Sequence, residues 1–172
     1  MTEDLPQEGH DGPYAAPCLT PSRQVPPEWI DYNGHMNVAY YTMAVDQAID
    51  VFLEAELGLG ESRAARVRQG PYALQSGIRF LDEMLEGEGF FVRIQLIDHD
   101  AKRLHIFCEL VRERDSVIAA TVEQLLMNVD LKERRSALYP AWGQARLAAM
   151  LKDHSALGPP DALGAEIGIR RK

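Results

Sequence analysis

The stretch WIDYNGHMNVAYYTMAVDQAIDVFLEAELG, Trp29 to Gly58, decides how the rest of the chain is read. Its first part is a polar turn in which Asp31, Asn33, Gly34, His35 and Asn37 fall close together. From Val38 to Leu57 there is neither proline nor glycine, and apolar residues recur at helical spacing: Val38, Tyr41, Val45, Ala48, Ile49, Phe52, Leu53 and Leu57. Asp46, Asp50 and Glu54, four apart, mark the wetter face. Asn37 is placed to cap the helix and Gly58 to end it. The helix so predicted spans about five turns, on the order of 30 Å. Its N-terminus offers unpaired N–H groups and partial positive charge directly after a carboxylate and an imidazole. That combination suits a carbonyl that becomes an oxyanion.

Outward from this stretch, composition narrows the options. The 172 residues fit one domain with tails, and 46% hydrophobic content supports a packed core. A formal charge of -8 without a dominant basic run argues against a nucleic-acid partner, though a local basic patch could still receive an anionic ligand. No apolar run is long enough to span a membrane. The N-terminal MTEDLPQEGHDGP is acidic and lacks a signal peptide's apolar segment. Cys18 and Cys108 lack CxxC spacing, so a reducing cytoplasm is expected.

Residues 1–13, acidic and broken by Pro6, Gly9, Gly12 and Pro13, read as a disordered arm. Residues 14–25 read as one edge-like strand, because Pro17 and Pro21 would damage a central one. After Gly58, a short helical segment ends at Gly70-Pro71, and the period then changes to two. Alternating runs over 72–81, 90–97, 104–111 and 117–129, joined by short polar turns, predict a four-strand antiparallel meander. A final helix is expected from Trp142 to about Lys152, followed by a Gly/Pro-rich mobile tail over 153–172. The domain itself is therefore placed at 14–152. The fold class is α+β: a curved antiparallel sheet wrapped around one long central helix that is apolar nearly all round. Uncovered sheet edges point to a homodimer or homotetramer.

This order and motif resemble the hotdog fold of acyl-CoA thioesterases of the 4-hydroxybenzoyl-CoA thioesterase type, over roughly residues 18–145. The motif-bearing residues here are Asp31, Gly34, His35, Asn37, Tyr40 and Tyr41. VPPEWIDYNGHMNVAYY, the DQAID that follows, and the later TVEQLLMNVD are similar to the betainyl-CoA thioesterases of carnitine breakdown. Some of those are fused to a carnitine dehydrogenase. This chain carries no dinucleotide-binding glycine motif and is expected to be a stand-alone form. The subfamily often has histidine where Asn128 stands, which leaves the acyl group open.

The resemblance implies that Asp31 attacks the thioester carbonyl or activates water, with a backbone N–H near Val38 as oxyanion donor. Physically, a thiol of pKa about 8–9 leaves without a strong acid, so a base or nucleophile and an electrophilic pocket suffice. Read without the resemblance, Asp31 could equally cap its turn. His35 is a candidate to orient Asp31, to hold water or to bond the thioester; the bland reading is a structural histidine. Asn37 is read first as a cap, then as a substrate contact. Gly34 would let substrate approach closely. Trp29, Tyr32, Tyr40 and Tyr41 are candidate substrate contacts, through cation–π attraction if the acyl group is cationic, with packing as the alternative. Asp46 is the runner-up carboxylate, Glu123 a candidate supporting residue, and Cys108 reads as core. Arg66, Arg68, Lys102, Arg103, Lys132, Arg134 and Arg135 are candidates for the coenzyme A phosphates. No metal and no separate cofactor are expected; coenzyme A enters as part of the substrate. A hotdog enoyl-CoA hydratase and a non-catalytic acyl-CoA-binding module are the competing functions.

Overall fold

A computed structural model describes residues 4–169. The described residues form strands β1 (Cys18–Leu19) and β2 (Arg23–Gln24), then helix α1 (Val38–Phe52), extended by a wider turn over Leu53–Leu57. Helix α2 (Glu61–Val67) follows. Then come β3 (Gln69–Phe80), β4 (Gly89–His99), β5 (Arg103–Arg112), β6 (Ile118–Asp130), β7 (Arg135–Ser136) and helix α3 (Ala141–His154). All pair antiparallel in one sheet of order β1-β4-β5-β6-β3, with β2 also on β4 and β7 on β6.

Both ends of α1 obey the local chemistry of the sequence. Asn37 accepts the Ala39 N–H at 3.0 Å, and Gly58 closes the helix at φ +66. A Cβ at Gly58 would also collide with the Glu8 carbonyl, so glycine is required there twice over. Tyr41, Ala44, Val45, Ala48, Ile49 and Phe52 are buried against the inner sheet face, which supplies Val92, Ile94, Ile106, Cys108, Leu110, Ala120 and Val122. This is the hotdog arrangement. One refinement concerns the helix: Thr42, Asp46, Gln47 and Asp50 lie exposed, so the sheet sheathes one side of α1 only.

Three expectations change. The first strand is two short ones, because the segment breaks at Thr20–Ser22 around Pro21. The meander comprises β4, β5 and β6 only; β3 pairs with β6, from Gln69↔Asp130 to Phe80↔Ala120. The link 81–88 therefore crosses the sheet end, and it passes over the start of α1, where Met36 N–H bonds the Met84 carbonyl at 2.8 Å. Finally, the arm and tail have defined contacts. Asp4 meets the buried Arg63 at 2.8 Å and Asp11 meets the buried Arg146 at 2.8 Å, so residues 4–13 are anchored where disorder was expected. Helix α3 runs two residues past the expected Lys152, and residues beyond it cross the outer sheet face. There Gln95 Nε2 donates to the Gly158 carbonyl, and Gly164 N–H donates to Glu123 Oε2.

His154 ties α3 to the sheet. It is fully buried; Leu96 N–H donates to its Nδ1 at 2.8 Å, so the neutral ring carries its proton on Nε2, which faces the Ala15 carbonyl at 2.9 Å. Burial pushes its pKa below the usual 6.5. The unfolded chain therefore takes up this proton first, and stability falls as pH drops below about 6.5 toward the folded pKa. Thermal melting at pH 7.5 and 5.5 should show this loss, and His154→Gln should show a smaller pH difference than the wild type.

Candidate active site

The turn before α1 is a tight loop closed by backbone bonds. Asp31 N–H donates to the His35 carbonyl, Gly34 N–H to the Asp31 carbonyl, and Asn37 N–H to the Trp29 carbonyl, at 2.9–3.0 Å. Gly34 takes φ +82, which a side chain would strain, and nothing lies within 4 Å of where its Cβ would be. The loop top is thus open to a ligand.

Asp31 is half-buried, and both carboxylate oxygens are held. Oδ1 accepts the Asn33 N–H at 2.8 Å and Oδ2 accepts from Asn37 Nδ2 at 3.2 Å. The first α1 amides divide their work. Ala39 N–H goes to the Asn37 side chain and Tyr40 N–H to the Asn37 carbonyl. The Val38 N–H has no acceptor among the described residues, and Val38 is 56% exposed. An unspent, accessible helix-start N–H beside a fixed carboxylate is what an oxyanion-forming reaction uses.

His35 does not bond Asp31. Its Nδ1 donates to the Met36 carbonyl at 3.2 Å, leaving the Nε2 lone pair of a neutral ring free of any partner among the described residues. The group that orients Asp31 is Asn37, whose cap role the sequence suggested but whose link to the carboxylate it did not.

The four aromatics separate. Trp29 is buried and stacked on Tyr40, centroids 5.3 Å apart at 7°. The Arg23 guanidinium stands 5.5 Å from the Trp29 ring centre, so this ring already has a cation. Tyr41 is buried with its hydroxyl donating to the Asp82 carbonyl and accepting the Met84 N–H. Burial, above all, raises its pKa. It braces the crossing link. Tyr32 is 95% exposed beside Asp31. Tyr40 and Tyr32 are therefore the aromatics left with surface to offer.

Other candidates lie elsewhere. Asp46 sits on the exposed face of α1. Glu123 faces away from α1, on the outer sheet face, with Oε1 2.8 Å from His105 Nε2. Cys108 is fully buried among the core residues, and burial pushes its thiol up. Burial likewise pushes Cys18 up to about 12, so neither cysteine supplies a thiolate nucleophile. Arg66, Arg68, Lys102, Arg103, Lys132, Arg134 and Arg135 gather where β6 ends, whereas Asp31 stands where it begins. The thirteen residues of β6 put its two ends about 40 Å apart at 3.3 Å per residue. Three cavities of about 460, 430 and 390 Å³ lie under the C-terminal segment and include no residue of 29–41. No cluster of His, Cys, Asp and Glu among the described residues is arranged to hold a metal ion.

A curved antiparallel sheet laid over one side of a single long helix defines the class, a hotdog-fold protein. The chain belongs to the thioesterase-like superfamily, whose family model matches residues 25–147. It is 37% identical to the betainyl-CoA thioesterase of Pseudomonas aeruginosa PAO1 over 143 residues, 83% of this chain and 89% of that protein. It is 30% identical to the L-carnitine dehydrogenase/betainyl-CoA thioesterase of Rhizobium meliloti over 83% of this chain, but spans only 28% of that longer protein. A Staphylococcus aureus protein solved in complex with CoA superposes with a TM-score of 0.82 at 28% identity, covering 92% of this chain and all of the other. The chain is thus a thioester hydrolase. Among the described residues, no helix is long and apolar enough to cross a membrane.

Proposed function

We propose that the protein hydrolyses a short, polar acyl-CoA to the free acid and coenzyme A, with betainyl-CoA as the leading candidate. The observation that carries this reading is Asp31, fixed through both oxygens and tied by one of them to Asn37, the residue before the unbonded Val38 N–H. The thioester carbonyl would point its oxygen at Val38 N–H, and the helix N-terminus would stabilise the tetrahedral oxyanion. Asp31 then acts by one of two routes. It attacks the carbonyl carbon, expelling the thiolate, and water hydrolyses the resulting anhydride; or it takes a proton from the attacking water. Either way one water is consumed, and one acid and one thiol appear. The free Nε2 of His35 can hold that water. The similarity to betainyl-CoA thioesterases, together with Tyr32 and Tyr40, supports a trimethylammonium acyl group.

Thiol release from a panel of acyl-CoAs, read with a thiol reagent, tests the reading. Betainyl-CoA should exceed its neutral tert-butylacetyl isostere in kcat/KM by roughly 10-fold, the scale of a desolvated cation–π contact. Equal rates would remove the cationic-acyl assignment; enoyl consumption without thiol release would favour a hydratase, and neither signal a binding module.

We also propose that the working form is a homo-oligomer built through β3. This twelve-residue strand pairs with β6 on one side only, and Tyr72, Leu74 and Phe80 along it are exposed. Antiparallel pairing of two β3 edges would set one copy's Arg66 and Arg68 beside the other's Asp31 end. Cations too distant within one chain would then reach the coenzyme A phosphates across the pair. Light scattering should give a multiple of 19.3 kDa, and Leu74→Lys should shift the mass toward monomer and lower activity. A fully active monomer would end this assignment.

A further inference from the structure

We infer that Asn37 is a positioning residue that locks the Asp31 carboxylate to the helix start, beyond its role as a cap. The inference rests on the proposed role of Asp31. One side chain makes both contacts: Oδ1 accepts the Ala39 N–H at 3.0 Å, and Nδ2 donates to Asp31 Oδ2 at 3.2 Å. The amide's orientation is forced, because a backbone donor faces one end and a carboxylate acceptor faces the other. Asparagine is the cap residue that can do this. Serine, threonine and aspartate cap helices well but offer no donor at that reach or no donor at all.

The consequence is geometric. Asn37 immediately precedes Val38, so the residue that fixes the carboxylate also fixes the amide next to it. Carboxylate and oxyanion donor are thereby held in register by one short, capped segment. His35, the residue that spacing suggested as the orienter, spends its Nδ1 on the Met36 carbonyl instead. The opposite carboxylate oxygen is held by the Asn33 N–H at 2.8 Å, so without Asn37 the carboxylate can swing about that single tether. Supporting contacts of this kind commonly carry one to two orders of magnitude in rate.

Asn37→Asp and Asn37→Ser separate capping from positioning. Both keep an oxygen for the Ala39 N–H, so melting temperatures should stay near the wild-type value. Asn37→Asp also faces Asp31 with a second negative charge. Its kcat should fall about 100-fold with little change in KM, and Asn37→Ser should fall about 10-fold, since displacement and repulsion act on the reacting group and not on substrate binding. If both variants keep kcat near wild type, or if their losses merely follow their melting temperatures, Asn37 is only a cap and the inference is overturned. Asp31→Asn in the same assays keeps the two failures apart. An inactive Asp31→Asn with an active Asn37→Asp sinks this inference alone, whereas an active Asp31→Asn sinks the reading on which it rests.

Discussion

Asp31→Asn should lower kcat by at least ~10³-fold while the protein stays folded, because the substitution removes the only charge in the loop that can act as nucleophile or base. The change is nearly isosteric. Asn at this position still accepts the Asn33 N–H through its oxygen, but its amide nitrogen then faces Asn37 Nδ2, donor against donor. One charge-assisted bond is lost from a half-buried surface loop, a cost of about 1–2 kcal/mol, too little to unfold the chain. The Val38 N–H and the helix N-terminus survive, so a residual rate above the uncatalysed one should remain. Thiol release measures the first effect and thermal melting the second. Turnover near wild type would transfer the base role to His35, whose Nε2 is unspent; Asp46 lies on the exposed face of α1.

The parts of this molecule that a reader can extract from sequence are those set by neighbours in the chain. Helix α1 announces itself through Asn37, Gly58 and a 3.6-residue apolar period, because capping and side-chain direction are local. The four long strands announce themselves by alternation for the same reason. Strand order does not: alternation says which residues share a face, not which strand lies alongside, and β3 lies beside β6 because link 81–88 crosses the sheet end. Glu123 shows a related limit. It sits in an apolar run, so its face was ambiguous until the register put Ala120 and Val122 inward and Glu123 outward. Within the site, Asp31, Gly34 and Asn37 were legible as a turn and a cap. The Asn37–Asp31 bond was not, since loop residues six apart meet only when the turn's conformation is known. The arm was missed because composition reports what a segment is made of and not what the folded surface asks of it. Arg63 and Arg146 lie in helices α2 and α3, and nothing in their local sequence marks them as buried. Their burial, visible only in three dimensions, creates the demand for partners.

That demand makes truncation informative. Removal of residues 1–12 should destabilise the protein by about 3–6 kcal/mol, since it strips partners from two buried guanidiniums. Arg63 is 1% exposed, and Asp4 supplies its carboxylate, with Asn128 and Gln69 as neutral partners. Asn128 Nδ2 also holds the Ala137 and Leu138 carbonyls, so strain at Arg63 would spread to the segment before α3. Arg146 loses Asp11 and the Glu8 carbonyl and keeps the Leu57 carbonyl. Asp11 is 88% exposed, so solvent screens that pair and most of the effect should come from Arg63. For a chain of this size the expected fall in Tm is roughly 10–20 °C. A disordered arm would leave Tm unchanged, and that result would show both arginines to be satisfied without it. If the arm is the partner, Arg63→Met in the truncated chain should recover part of the loss, because an apolar side chain leaves no buried charge unpaired. In the full-length protein the same substitution should cost stability, since it also takes the guanidinium from the part-buried Asp4 carboxylate, a partner that only this background has. Opposite signs from one substitution in two backgrounds would tie the effect to the Asp4–Arg63 pair, and to no general consequence of shortening the chain.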